Sequence, residues 1–188
     1  MGTSSEVPLY LEDAADAPQF LLEMRLGAYP AGRPRTSIEW SQWTACKVDT
    51  GSNITVVPQG LFTDLSKRTG IQEFTDLVAR DHRAREQDVT LASRKSEKVR
   101  AFEALLELRP HRRSSGPREA FSSLHTWGSA PITVRFFVNH PRAHCLLGTD
   151  VLRRLGGFRY EARLKSASIV VEPPPRRGQK DRPFSPAE

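Results

Sequence analysis

Near the start of the chain, apolar and polar positions mix with a short period in two runs, Phe20–Gly27 (FLLEMRLG) and Ser41–Val48 (SQWTACKV). Side chains that alternate face by face favour a strand, and the turn-forming stretch PAGRPRTS at 30–37 separates the two runs. Beyond Val57 the period lengthens. Leu61, Phe62 and Leu65 fall at helical spacing between Pro58 and Gly70, residue types that favour a helix start and a helix end. Phe74, Leu77 and Val78 extend this pattern into a second predicted helix ending near Glu86.

The next segment predicts a hairpin: Val89–Ser93, a polar turn over Arg94–Lys98, and Val99–Leu108. Its second arm (VRAFEALLEL) also contains good helix formers, so a helix is the competing expectation there. Arg109–Ser129 is polar and reads as a long surface loop. Pro131–Val138 (PITVRFFV) reads as a strand, as does the short Cys145–Gly148 (CLLG). A helix then begins near Thr149 and stops at Gly156 or Gly157, and Ser168–Val171 closes as a last strand. The expected organisation is a flexible leader over 1–18, one domain over 19–172 and a proline-rich flexible tail over 173–188.

Composition narrows the classes of function. A chain of 188 residues that is 38% hydrophobic supports a single globular domain. Two cysteines, Cys46 and Cys145, cannot build a disulfide framework or a four-cysteine zinc site, and each reads as a small buried hydrophobe. His140, His144 and Cys145 surround Pro141, which forbids a regular helix, and read as a turn without a metal. No apolar run is long enough to span a membrane, and the acidic opening carries no secretory signal, which leads to an expected cytoplasmic or virus-like-particle location. The net charge of +6 is concentrated between Arg80 and Arg118. Acidic residues are mixed in and stacking aromatics are sparse, so this charge reads as a solvated face and nucleic acid is not the expected primary ligand.

The chemistry is concentrated in Val48-Asp49-Thr50-Gly51-Ser52, a carboxylate directly after a predicted strand. Gly51 allows backbone to approach that carboxylate, Thr50 places a hydroxyl beside it, and Ser52 is placed to donate a hydrogen bond toward it. Ile54-Thr55-Val56-Val57 follows, and a hundred residues later Leu146-Leu147-Gly148 leads into a helix. In KVDTGSNITVVP at 47–58 and CLLGTDVLRRLGGFRY at 145–160, the chain resembles the retropepsin-like aspartic proteases of retroviruses and long-terminal-repeat retrotransposons. The resemblance implies a mainly β, single-lobe, closed barrel-like fold with a short C-terminal helix, here with one or two inserted helices. It also implies peptide-bond hydrolysis without metal or cofactor.

Aspartic proteolysis uses two carboxylates that share a proton around one water. The chain has one Asp-Thr-Gly, so the resemblance implies a homodimer with Asp49 and its symmetry mate as the dyad and Thr50 linking the two loops. Asp150 is the alternative internal partner, although its place at a predicted helix start also suits a first-turn acid. Lys47 shares the strand face of Asp49 and is a substrate-cleft candidate together with Leu147 and Gly148. Ser93, Arg94, Lys95 and Ser96 form the candidate flap tip, with Trp127–Ser129 as the alternative. The family pattern also makes Ile169, Val170 and Val171 candidates for an intersubunit sheet. The expected substrate is a peptide or a polyprotein, the chain's own precursor included; a silent peptide-binding or dimerisation module of the same fold is the competing reading.

Overall fold

Two long strands organise the chain. The computed structural model describes residues 5–13, 18–31, 37–71, 87–90, 95–114, 131–137 and 144–171. In chain order the strands and helices are β1 (Ser5–Pro8), β2 (Tyr10–Asp13), β3 (Pro18–Ala28), β4 (Glu39–Trp40), β5 (Thr44–Val48), α1 (Gln59–Thr69), β6 (Gln87–Thr90), β7 (Ser96–Pro110), β8 (Ile132–Phe137), β9 (Leu146–Leu147), α2 (Thr149–Leu155), β10 (Gly156–Glu161) and β11 (Ser166–Val171). β3 pairs in turn with β2, β5, β7 and β4, while β7 pairs with β6 and β8 along its first half and with β3 along its second. A strand that changes partners along its length bends the sheet over itself.

That bending closes a ring. β5 lies antiparallel to β3 and parallel to β9, with Val48 opposite Leu147. Leu146 and Val56 exchange backbone hydrogen bonds at 2.8 and 2.9 Å, and on its other side the 55–57 segment bonds to Arg135 of β8. Since β8 returns to β7 and β7 to β3, the ring runs β3-β5-β9-(55–57)-β8-β7. The fold is therefore mainly β with a closed core, α1 inserted after the 55–57 segment and α2 near the C-terminal end. Among the described residues no helix is long and apolar enough to cross a membrane.

The interior explains the alternation. Leu22, Met24 and Leu26 of β3, Cys46 and Val48 of β5, Phe102, Leu106 and Leu108 of β7, and Ile132, Val134 and Phe136 of β8 share one core. α1 contributes Leu61, Phe62 and Leu65, the residues expected at helical spacing, and α2 contributes Val151, Leu152 and Leu155. The Phe62 ring lies 4.8 Å from Phe102 and 5.0 Å from Phe136, so α1 is seated by an aromatic contact against β7 and β8. From Ala104 to Leu108 β7 is buried on both faces, which removes the alternation that marks a strand and explains the helical competitor at this segment. The arm is a strand, paired to β3 and β8.

The outer face of β3 and β7 carries a charge ladder. Arg25 is register partner to Glu107 and Glu23 to Arg109, and both form ion pairs. Trp43 packs against both guanidinium groups, 4.7 Å from Arg25 and 4.1 Å from Arg109, and Trp40 lies 4.8 Å from Arg25. Arg109, read above as the start of a polar loop, is therefore the end of a paired strand.

The leader expectation is corrected. Residues 5–13 form β1 and β2, with Val7 fully buried, β1 paired to β11 and β2 to β3. The apolar residues Val7, Leu9, Tyr10 and Leu11 form a run too short and too interrupted by Pro8 to mark two strands, and pairing of β1 with β11 and of β2 with β3 supplies the missing stabilisation. β10 was also not foreseen, because GGFRYE opens with two glycines. Gly156 and Gly157 adopt φ of 133° and 119°, a backbone reversal that takes the chain from α2 straight into the strand and that only glycine makes readily. The predicted second helix over 74–86, the 115–129 part of the loop, and the 173–188 tail lie outside the described residues.

His111, at the end of β7, is 5% exposed and stacks on Tyr10 of β2, with 5.3 Å between ring centroids. Burial lowers its pKa from the ordinary 6.5, and Arg112 and Arg113 act in the same direction, against an upward pull from Glu23 and Glu12. The neutral ring is therefore favoured in the folded state. As pH falls through 6.5 the unfolded chain takes up the proton first, so this contribution is present above pH 6.5 and is lost below it. Thermal melts of the parent should show lower stability on going from about pH 7 to about pH 5, and His111→Phe, which keeps the stack without the titration, should show a smaller loss over that interval.

Candidate active site

β5 ends at Val48 and delivers Asp49 into a tight loop held on both sides. The Asp49 amide donates to the Leu147 carbonyl at 3.0 Å, the Ser52 amide donates to the Asp49 carbonyl at 3.2 Å, and the Gly51 amide donates to Asp49 Oδ1 at 3.0 Å. A Cβ on Gly51 would lie 3.3 Å from Oδ1, so glycine keeps this approach open. Asp49 is half-buried, with Thr50 and Gly51 exposed beside it. Ser52 differs from expectation. Its hydroxyl donates to the Ile54 carbonyl at 2.8 Å rather than toward Asp49, which makes it a brace for the loop. The Ser52 carbonyl accepts from the Thr149 amide at 2.8 Å and from its hydroxyl at 3.1 Å, tying the loop to the start of α2.

Behind the loop lies a buried polar seam. Thr55 is fully buried; its hydroxyl accepts from the Gly148 amide at 3.0 Å and donates to Asp150 Oδ1 at 2.7 Å. Asp150 Oδ2 accepts from the Thr55 amide at 3.1 Å and from Arg135 Nη1 at 3.2 Å, and Oδ1 also accepts from the Val151 amide at 2.9 Å. Four donors occupy the Asp150 carboxylate, so it anchors the loop, β8 and α2 and is not the internal partner of Asp49. Gly148 is required by contact: a Cβ there would sit 2.4 Å from the Ile54 carbonyl oxygen.

The cleft candidates separate by register. Cys46 and Val48 face the core, whereas Lys47 and Asp49 are half-buried on the opposite face. Leu146, opposite Lys47 on the parallel neighbour, is also half-buried, while Leu147 is fully buried and belongs to the core. Gly148 likewise acts through its backbone. Of the flap candidates, Lys95 and Ser96 are exposed and Ser96 is register partner to Thr90 in the β6–β7 hairpin; Ser93 and Arg94 lie outside the described residues, as does Trp127–Ser129. Thr55 and Arg135 were missed. Each sits in a strand-like apolar run, and the available signal was a charge inside ITVRFFV that needs an acidic partner.

Burial raises the Cys46 thiol well above its ordinary pKa of 9.0, and neighbouring Cys145 adds to the shift. A neutral, buried thiol is a poor nucleophile. Among the described residues no group of three potential metal ligands occurs. Asp49 thus stands as a half-buried loop carboxylate whose Oδ1 accepts from the Gly51 amide.

Removing the seam should loosen the loop. Gly148→Ala should destabilise the fold by about 1–3 kcal/mol through overpacking against Ile54, and Asp150→Ala should cost about 1–3 kcal/mol by leaving the Thr55 donors unsatisfied. Chemical denaturation of each variant checks both values. Equal midpoints and slopes for parent and variants would contradict the assignment.

No protein-family model matches the chain, and no curated protein matches it. Among solved structures it is similar to the crystal structure of a retropepsin-like aspartic protease from Rickettsia conorii, with 11% identity, a TM-score of 0.43, and coverage of 90% of this chain and 93% of that one.

Proposed function

We propose that the chain is an aspartic endopeptidase whose catalytic centre forms when two copies bring their Asp49 carboxylates together. The observation that carries this reading is the contrast between two acids: Asp49 lies half-buried on a glycine-braced loop, while Asp150 is consumed by four donors. One carboxylate alone does not both activate water and hold the carbonyl. In a pair sharing one proton, the ionised Asp49 takes a proton from the water as it attacks the scissile carbonyl, and the protonated one donates to the carbonyl oxygen. The proton then passes to the leaving nitrogen as the C–N bond breaks.

In this reading Thr50, exposed next to Asp49, links the two loops across the axis. Lys47 on the same face favours acidic groups in substrate or an ionised dyad, according to its distance from each. The substrates in this reading are extended peptides, including junctions in the chain's own polyprotein precursor, met in the cytoplasm or in a virus-like particle.

Asp49→Asn should keep the fold and lower peptide cleavage by ~100-fold or more, the scale of a lost general base. Circular dichroism and a pepstatin-sensitive peptide assay test this together. A variant within about threefold of the parent rate would sink the proposal. Specific activity should also fall on dilution, because each centre takes half its groups from each copy.

A further inference from the structure

The two N-terminal strands are held very differently. β1 seats Val7 in the core and pairs with β11, and the Leu9 amide that follows donates to the Ala167 carbonyl at 2.9 Å. No residue of β2 is fully buried. β2 pairs with Pro18–Leu21 of β3, and Tyr10 is anchored by its stack on buried His111, with 24° between the ring planes. Glu12 also pairs with Arg113 at 3.1 Å, but both side chains of that pair are exposed, and exposed ion pairs contribute little. The hold on β2 therefore centres on the imidazole.

Hydrogen bonding fixes the protonation state that this imidazole needs. His111 Nδ1 accepts from the Arg113 amide at 3.3 Å, so the neutral ring carries its proton on Nε2. A proton added at Nδ1 sets a donor against that N–H and breaks the bond. The charged groups around the ring are Glu12 of β2, Glu23 of β3, and Arg112 and Arg113, which follow it in the chain. Glu12 is already engaged by Arg113 and Glu23 by Arg109, so a cation at 111 adds positive charge beside two arginines and shares acids that have partners. We infer that His111 is an acid-released latch: the neutral ring holds β2 on the sheet, and protonation at Nδ1 frees β2 while β1 stays in place.

The register ties this latch to the strand that delivers Asp49. Leu21 is partner to Tyr10 on one side and to Lys47 on the other, and Phe20 is partner to Leu11 and to Val48 in the same way. β2 thus braces the end of β3 on which the last residues of β5 rest. Release of β2 removes one of the two neighbours of Phe20 and Leu21.

Residue-resolved amide exchange of the full chain by NMR, corrected for the intrinsic effect of pH on exchange, tests the latch without reference to catalysis. Between about pH 7 and about pH 5.5 the hydrogen-bonded amides of residues 10–13 should lose about fivefold or more of their protection, while Val7, Val134 and Ile169 keep theirs. The His111 ring signal should titrate in step with that loss, with a midpoint below 6.5. His111→Phe should hold β2 at both pH values, and Tyr10→Leu, which removes the stack from the other side, should release it already at about pH 7. Unchanged protection of residues 10–13 in the acidified parent, or in Tyr10→Leu, would overturn the inference. An equal acid loss in His111→Phe would move the trigger to Glu12 or Glu23 and overturn it too. So would a loss spread evenly over β1, β2 and β8, which would mean general softening of the fold.

Discussion

The contact between Ile54 and Gly148 is the constraint on which the site depends. A side chain at 148 would overlap the Ile54 carbonyl, so only glycine lets the returning 55–57 segment approach β9 and close the ring. Closure buries Thr55, and a buried hydroxyl and amide need partners. Asp150 supplies them from the first turn of α2, and Arg135 compensates its charge from β8. One steric requirement thus recruits an ion pair and a helix start, and the outcome is an Asp49 loop held at both ends.

This arrangement divides the labour between two acidic residues. Asp150 is saturated with donors and holds structure; Asp49 accepts from the Gly51 amide and is half-buried. Carboxylates become chemically distinct through their surroundings. The same reasoning applies to the basic residues. Arg25, Arg109 and Arg135 are engaged with Glu107, Glu23 and Asp150, so part of the positive charge of the chain is structural and does not form a field for a polyanion.

The small β1-β11-β10 sheet gives the ring its second layer. Val7, Ile169 and Ala167 turn inward toward the core, whereas Glu6, Arg159 and Ser168 form the outward polar face. Phe158 and Tyr160 of β10 pack their rings against Phe20 of β3, the register partner of Val48.

Much of this was legible in the residues alone. Periodicity placed β3, β5, α1, β8 and α2, because each shows an apolar face to a shared core, and both helices stop at a glycine. The Asp-Thr-Gly-Ser loop and the Leu-Leu-Gly segment were legible as local chemistry, since turn geometry acts over a few residues. Tertiary structure alone decided the rest. β1 and β10 have weak patterns and exist by pairing with β11; β7 loses its alternation because both of its faces are covered. The roles of Thr55, Asp150 and Arg135 depend on bringing together groups as far apart as 95 positions along the chain. No local pattern encodes such a contact: hydrogen bonding is settled by distance in space, and that distance is set only when the ring closes.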